Sequence, residues 1–328
     1  MYTIKTGVPQ GSILGPLLFI IYINDIPNAS NLFKTIIYAD DTTLYSTLDV
    51  FGNPKNTTKN LNLEIIKITD WLKLNKLSLN IKKSKFMLFR MPHKRIIIPD
   101  LLIGNIKVEC IDVFNCLGIT IHKHLKWDAH INKISTKISN ILGIMYRIRY
   151  FVPAKILLTI YNALILPHLN YGLTWWGFNQ NIIFKLQKKA VRIITSSNYL
   201  SHSEPLFKTL HVLKIENMFK FHELKFCYDL INKHLPPYFT TMDVRSQQVT
   251  YYQNTRQRRH FKAIRVKHVF AERCIRYCIP EILNKTDDLI IDKIKTHSPR
   301  GFSTYIKQFY LNKYNTICLI PNCYICGR

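Results

Sequence analysis

Acidic residues are scarce in this sequence of 328 residues. It holds 20 Asp and Glu against 46 Lys and Arg, so the formal net charge is +26. A field of this sign attracts polyanions, which favours nucleic acid or an anionic membrane surface as a partner and says nothing about the fold. Hydrophobic residues make up 47% of the chain, so there is enough apolar material for a core and wholesale disorder is excluded.

Cysteines are also few. Eight in a chain of this length do not make a disulfide scaffold, and they favour a reducing compartment. Cys318, Cys323 and Cys326 have spacings that resemble a zinc knuckle. A closed zinc site needs four ligands, so free cysteines are the favoured interpretation and zinc binding remains the alternative.

Long apolar runs are absent. The best candidate, residues 13–23, is too short for a bilayer, which takes about 20 residues, and it has no small-residue cleavage site. We therefore expect an intracellular protein, nuclear or cytoplasmic, without a membrane partner. No P-loop, dinucleotide fingerprint or nucleophile elbow is present either.

Residue patterns before position 125 predict a mixture of helices and strands. Two β-prone runs, 35–38 and 43–45, flank Asp40 and Asp41 and predict a hairpin with acids at its tip. An apolar run predicts a helix over 17–22, which Pro27 closes, and helical spacing predicts a second helix over 59–74. Further strands are expected over 85–90, 95–98, 107–110 and 116–121.

Beyond residue 126 the pattern becomes helical. An apolar seam with steps of three and four runs from Ile131 to Ile148, and further helices are predicted over 154–167, 178–194 and 215–233. Packing within one subunit is preferred to a dimeric coiled coil, although the oligomeric state stays open. The predicted domains are residues 1–125, 126–237 and 238–328.

The adjacent carboxylates Asp40 and Asp41 are the first candidate site. Two neighbouring carboxylates repel each other unless a cation neutralises them, and Mg²⁺ takes one or two carboxylates together with substrate phosphates. An isolated Asp-Asp pair is also ordinary turn chemistry in solvent. The second unusual run upstream, Gly7-Val8-Pro9-Gln10-Gly11-Ser12, makes the metal interpretation more specific. Its glycines allow a ligand to approach the backbone, and Gln10 can bond a base edge or a ribose.

Together the two runs resemble motifs B and C of the palm domain of reverse transcriptases. Their residues are most similar to those of the non-LTR (LINE-type) retrotransposon class. The run from Leu77 to Phe89 is similar to motif D, and Cys116-Leu117-Gly118-Ile119 to motif E. Residues 127–177 resemble the family's helical thumb. The fold class implied is α+β: a partial palm with an antiparallel sheet, then a mostly helical thumb and a C-terminal extension.

The resemblance implies RNA-directed DNA synthesis with two Mg²⁺ ions, an RNA template, a DNA primer or target and deoxynucleoside triphosphates. Asp40 and Asp41 would be catalytic metal ligands, with Asp40 the stronger candidate for direct ligation. Gln10 and Gly11 would face the template–nucleotide pair, and Lys83 would assist the pyrophosphate, with Lys82 and Lys85 as alternatives. Cys116, Leu117 and Gly118 would hold the primer strand.

One departure from the family pattern concerns motif A, which supplies another metal-binding aspartate before motif B. Only six residues precede Gly7, and none is acidic. The fingers are not recognisable either. We therefore expect a truncated reverse transcriptase whose 328 residues alone are inactive. The alternative function is a non-catalytic remnant of such an element that still binds nucleic acid.

A basic stretch over residues 245–276 is the second candidate nucleic-acid site. It contains nine Lys or Arg against one acid, with aromatic residues interleaved, which suits phosphate contacts and base stacking. A solvated basic surface is the simpler alternative. The predicted nucleic-acid-binding residues are Arg256, Arg258, Arg259, Lys262, Arg265 and Lys267.

Overall fold

The structure is a computed structural model that describes residues 8–9, 11–47, 54–93, 96–240 and 275–315. The chain divides into two compact units, Met1–Lys126 and Trp127–Arg328. Helices and small sheets both occur, which is compatible with the predicted α+β class. No helix among the described residues is both long and apolar enough to cross a membrane.

The first unit begins with helix α1 (Leu14–Ile23) and a 3-10 turn (Ile26–Ala29). The strands β1 (Lys34–Tyr38) and β2 (Asp41–Tyr45) then pair antiparallel, and helix α2 (Pro54–Leu74) follows. The hairpin and both helices are confirmed, although each helix begins earlier than the sequence pattern predicted. Their small shared core holds Ile23, Ile26 and Ile68, against which Ile37 and Leu44 of the hairpin pack.

Six shorter strands follow among the described residues of the first unit. Strand β3 (Lys85–Phe86) runs parallel to β6 (Glu109–Cys110), and β4 (Leu102–Ile103) pairs antiparallel with β5 (Ile106–Lys107). The strand predicted over 85–90 is too long, because its partner offers only two residues. The run 96–98 forms no strand in the described part of the chain, and Ile97 is 71% exposed without a pairing partner there.

The continuous strand predicted over 116–121 is wrong, because a hairpin turn interrupts it. Strands β7 (Val113–Cys116) and β8 (Ile119–His122) pair antiparallel, and Leu117-Gly118 forms the two-residue turn between them. Both turn residues have positive φ, 46° and 86° respectively. A two-residue hairpin turn of this kind requires positive φ at both positions, which glycine adopts freely. The glycine therefore marks a turn where the apolar pattern alone predicted a continuous strand.

The described residues of the second unit form helices joined by turns and connections, and no strand. Its elements are α3 (Asp128–Ile148), α4 (Ala154–Ile160), α5 (Leu166–Asn170), α6 (Leu173–Trp176), α7 (Asn181–Ile194), α8 (Ser203–Thr209), α9 (Ile215–Ile231), α10 (Pro237–Thr240), α11 (Ile275–Asn284), α12 (Asp288–Thr296) and α13 (Pro299–Asn312). The predicted seam of α3 is confirmed, since Ile131, Ile134, Ile138 and Met145 are buried within this unit.

Two predicted helix boundaries need correction. The helix expected over 154–167 is interrupted earlier, by a π-helical turn over Tyr161–Ile165, and α5 then carries the chain past Pro167. Pro167 sits in the first turn of α5, where a missing N–H is tolerated. The helix predicted from residue 178 begins at Asn181 instead.

A buried polar hub lies in the core of the second unit. Gln187 of α7 is 1% exposed. Its amide nitrogen donates to the Tyr161 hydroxyl (3.0 Å) and to the Leu213 carbonyl (2.9 Å), and its oxygen accepts from the Ile215 N–H (2.8 Å). Burial also raises the pKa of Tyr161 to about 12, so this hydroxyl stays protonated and available to the network. The hub ties α7 to the π-helical turn and to the start of α9.

Candidate active site

The acidic pair lies at the tip of the β1–β2 hairpin. Tyr38 pairs with Asp41 across the strands, so Ala39 and Asp40 form a two-residue turn. Ala39 has φ 52°, in the left-handed region that favours glycine. Both Asp40 and Asp41 are exposed. The sequence prediction of a hairpin with acids at its tip is thus confirmed, with Asp41 already the first residue of β2.

The two faces of this hairpin differ. Ile37 and Leu44 point into the small core, which anchors the hairpin on α1 and α2. Tyr38 and Asp41 lie on the opposite face, because side chains alternate along a strand and cross-strand partners share a face. Tyr38 is 64% exposed there. The sequence pattern assigns no role to Tyr38, although its place next to Ala39-Asp40 shows that it flanks the acids.

The acids suit a hard cation only in part. No Lys, Arg or His of the described residues forms an ion pair with Asp40 or Asp41. Nor does the described part of the chain gather three His, Cys, Asp or Glu that could hold a metal. Two carboxylates fit one Mg²⁺ whose other positions are filled by phosphate and water. They do not fit the full ligand set of two ions.

The glycine-rich run turns into α1 beside an open space. The Ser12 N–H donates to the Pro9 carbonyl (3.1 Å), and the Ser12 hydroxyl accepts from the Gly15 N–H (3.2 Å). Gly11 has φ 85°, and apart from its chain neighbours no atom of the described residues lies within 4 Å of where its Cβ would be. A ligand could therefore approach this backbone closely. Gly7 and Gln10 lie outside the described residues.

The other predicted site residues occupy separate turns. Lys83 is exposed, and its N–H donates to the Asn80 carbonyl (3.1 Å). Its neighbour Lys85 forms an ion pair with Glu109 across the β3–β6 pair. Cys116, Leu117 and Gly118 form the end of the β7–β8 hairpin, where Leu117 is 45% exposed. Lys83 makes no ion pair with Asp40 or Asp41 in the described part of the chain, so its catalytic role stays a prediction.

Two sets of predicted residues lie outside the described residues. They are the nucleic-acid-binding set Arg256, Arg258, Arg259, Lys262, Arg265 and Lys267, and the cysteine set Cys318, Cys323 and Cys326. Both remain predictions from the sequence.

Replacing Ala39 with Val should destabilise the hairpin that carries the acids. A left-handed φ costs an L-residue roughly 1–2 kcal/mol, and a β-branched side chain tolerates it least. Amide hydrogen exchange across β1 and β2 should accelerate in Ala39→Val. The matched control is Ala39→Gly, which removes the Cβ and should leave the exchange rates equal or slower. Equal exchange in the Val variant would contradict the turn geometry.

The first part of the chain is similar to a known protein family. Residues 1–144 match the family model described as reverse transcriptase (RNA-dependent DNA polymerase). Among curated proteins of Drosophila melanogaster, the chain is 24% identical over 253 residues to the "Probable RNA-directed DNA polymerase from transposon X-element". This alignment covers 74% of the chain and 26% of the relative.

Two further relatives from the same organism carry similar names. The identity is 26% over 247 residues to the "Probable RNA-directed DNA polymerase from transposon BS", covering 70% of the chain and 26% of the relative. It is 25% over 228 residues to the "RNA-directed DNA polymerase from mobile element jockey", covering 65% and 24%. No solved structure matches the chain significantly.

Residues 1–144 are therefore similar to the reverse transcriptase family, and the three relatives are named as RNA-directed DNA polymerases of transposons or a mobile element. The activity of this family is RNA-directed DNA polymerisation, a nucleotidyl transfer. The matched region spans about a quarter of the length of each relative.

Proposed function

We propose that the chain supplies part of the catalytic palm of an RNA-directed DNA polymerase. The observation that carries the proposal is the exposed Asp40-Asp41 pair, held at the end of a tight hairpin inside the region that matches the reverse transcriptase family. Residues 1–125 would be the palm portion, 126–237 the thumb and 238–328 a basic extension. RNA template, DNA primer or target and deoxynucleoside triphosphates would be the partners.

The roles proposed for the residues are those that the resemblance to the family implies. Asp40 is the proposed direct ligand of Mg²⁺, with Asp41 beside it; the ion would neutralise charge on the phosphates as the primer hydroxyl attacks. The anchored hairpin would fix the carboxylates, because Ile37 and Leu44 hold its other face. Gly11 and Gln10 would contact the template–nucleotide pair, and Lys83 would stabilise the departing pyrophosphate.

The primer would meet the second hairpin. Its turn, Leu117-Gly118, follows Cys116, and Leu117 is exposed there and could contact the primer. A two-metal mechanism needs a further carboxylate, which motif A supplies in the family. No Asp or Glu occurs before Asp25 in these 328 residues. We therefore assign no counterpart of motif A within them. Templated primer extension and its loss on Asp40→Asn test the whole assignment.

The second candidate function is nucleic-acid binding without chemistry. The net charge of +26 favours it, because binding through phosphates requires positive charge and no metal. A remnant of this kind would keep its affinity for primer and template while showing no synthesis. The two functions differ in their dependence on Asp40, which chemistry needs and charge-driven binding does not.

Binding to an RNA–DNA hybrid should weaken steeply as salt rises. Each phosphate that the protein neutralises contributes roughly −0.7 to −0.9 to the slope of log affinity against log salt concentration. Removing Arg256, Arg258 and Arg259 together, as alanines, should flatten that slope by about this amount for each phosphate that is no longer bound. Fluorescence anisotropy titrations at several salt concentrations measure it.

The control removes the same charge elsewhere. Lys295, Arg300 and Lys307 are exposed on the last two helices, and their replacement by alanine lowers the net charge equally. This control should shift the slope less than the arginine variant does. Equal slopes in the two triple variants would show that residues 245–276 are a solvated basic surface rather than a binding site.

A further inference from the structure

The connection between α3 and α4 exposes aromatic rings to solvent. Tyr150 is 76% exposed and Phe151 is 85% exposed, and Tyr146, one helical turn before Tyr150, is 49% exposed. Rings of this size carry a large hydrophobic gain when buried, so an exposed group of them marks an interaction site more often than a scattered residue does. We call Tyr146, Arg149, Tyr150 and Phe151 the aromatic turn.

Arg149 contacts two of these rings. The guanidinium carbon of Arg149 lies 4.0 Å from the ring centre of Tyr146 and 4.5 Å from that of Tyr150. Arg149 also donates a hydrogen bond to the Tyr150 hydroxyl. Cation–π contacts of this geometry are attractive, so the rings are held in place before any partner arrives. Ordering in advance reduces the entropy lost on binding.

The surroundings of the aromatic turn are basic. Arg147 follows Tyr146 within the same span, Lys155 lies four residues after Phe151, and both are exposed. Over residues 129–203 the sequence contains nine Lys or Arg and not one Asp or Glu. The nearest acids along the chain are Asp128 and Glu204. A ligand at this turn therefore meets positive charge without a competing carboxylate from the same stretch of chain.

We propose that the aromatic turn binds single-stranded nucleic acid, with unpaired bases stacking on Tyr150 and Phe151 and phosphates contacting Arg147 and Lys155. This inference rests on the proposed function, because that function makes nucleic acid the partner. Exposed rings next to cations suit single strands, whose bases offer a free π-face. In a duplex the bases are already stacked on one another, so the rings would add little there.

The experiment compares oligonucleotides that differ only in their bases. The full chain is titrated with a single-stranded oligothymidylate and with an abasic strand of equal length and charge. The chain itself should bind the strand with bases more tightly. The double variant Tyr150→Leu with Phe151→Leu should bind oligothymidylate at least about tenfold more weakly, because stacking contributes substantially for each base. Its salt slope should stay unchanged, since no cation is removed.

Three controls sharpen the result. Tyr199 is 77% exposed in the same unit, and its replacement by Leu should leave binding unchanged. Arg147→Ala with Lys155→Ala should lower the salt slope, by about 0.7 for each phosphate that is no longer neutralised. Asp70→Asn, which changes an exposed acid of the first unit, should bind the strand as the unaltered chain does.

Several results would overturn the proposal. Equal affinity of the leucine variant for oligothymidylate, or equal affinity of the unaltered chain for the abasic strand, would show that the rings do not stack on bases. Binding to vesicles rich in phosphatidylserine but to neither oligonucleotide would make the turn a membrane contact. Binding to duplex but not to single strands would support the proposed polymerase function while removing this site.

Discussion

Replacing Asp40 with Asn should abolish templated DNA synthesis in a polymerase that carries these residues. Asparagine keeps the size of the side chain but removes the negative charge that a Mg²⁺ ligand requires. The metal contributes several kcal/mol to stabilising the transition state. A loss of about three powers of ten in rate, equivalent to roughly 4 kcal/mol, is the expected minimum. Primer extension on an RNA template with Mg²⁺ measures it.

A chimera provides the polymerase for this test. The aligned part of this chain would replace the corresponding quarter of the X-element relative, which supplies the remainder. Extension by the chimera and its loss in Asp40→Asn would support both the family assignment and the role of Asp40. Asp70→Asn, an exposed acid on α2 that pairs with Lys73, is the matched control and should retain activity.

The 328 residues expressed alone should show no extension. Asp40 and Asp41 cannot by themselves place two ions for an in-line displacement, and the described residues bring no third ligand to form a metal cluster. Templated synthesis by this polypeptide, sensitive to Asp40→Asn, would contradict that expectation. It would mean that another carboxylate of the chain completes the site. A folded but inactive chimera would leave binding without chemistry as the function.

Replacing Gln187 with Leu should destabilise the second unit by about 3 kcal/mol or more. Leucine has a similar volume, so the packing loss is small. The substitution removes the hydrogen-bond partner of the Tyr161 hydroxyl, the Leu213 carbonyl and the Ile215 N–H. In the unaltered protein these three groups bond to Gln187 in the core. Each buried polar group left without a partner costs roughly 1–3 kcal/mol. Urea unfolding followed by circular dichroism measures the free energy of unfolding.

Two further variants serve as comparisons for Gln187→Leu. Lys189→Ala lies two residues away on the exposed face of α7 and should change stability by less than about 0.5 kcal/mol. Tyr161→Phe removes one member of the network and should cost less than Gln187→Leu, because the backbone groups keep their partner. A Gln187→Leu chain as stable as the unaltered protein would show that relaxation or water satisfies these groups.

Local patterns predicted much of the secondary structure. The hairpin around Asp40-Asp41 follows from two β-prone runs and short polar residues between them, which act over a few positions. The α3 seam follows from apolar residues at steps of three and four. The strand predicted at the 96–98 run does not form. Its three isoleucines favour a strand, but a strand also needs a pairing partner, which the described residues do not provide.

The candidate site was only partly predictable. Adjacency along the chain placed Asp40 beside Asp41, and the glycines identified the loop before α1. The exposure of the acids, and whether a third possible metal ligand lies beside them among the described residues, depend on neighbours distant in sequence. Lys83 illustrates the limit, since a lysine at a motif position says nothing about which carboxylate or phosphate it reaches.

The sequence by itself determined the charge, the paired acids, the turn-forming glycines and the apolar seams, because each is a property of residues close together along the chain. Tertiary structure alone decided which polar side chains are buried and which aromatic rings are exposed. Gln187 bonds to partners 26 and 28 residues away, and its burial follows from helices packing around it. Phe151 and Trp176 are both aromatic, yet one is 85% exposed and the other 0%, since packing between helices covers only one of them.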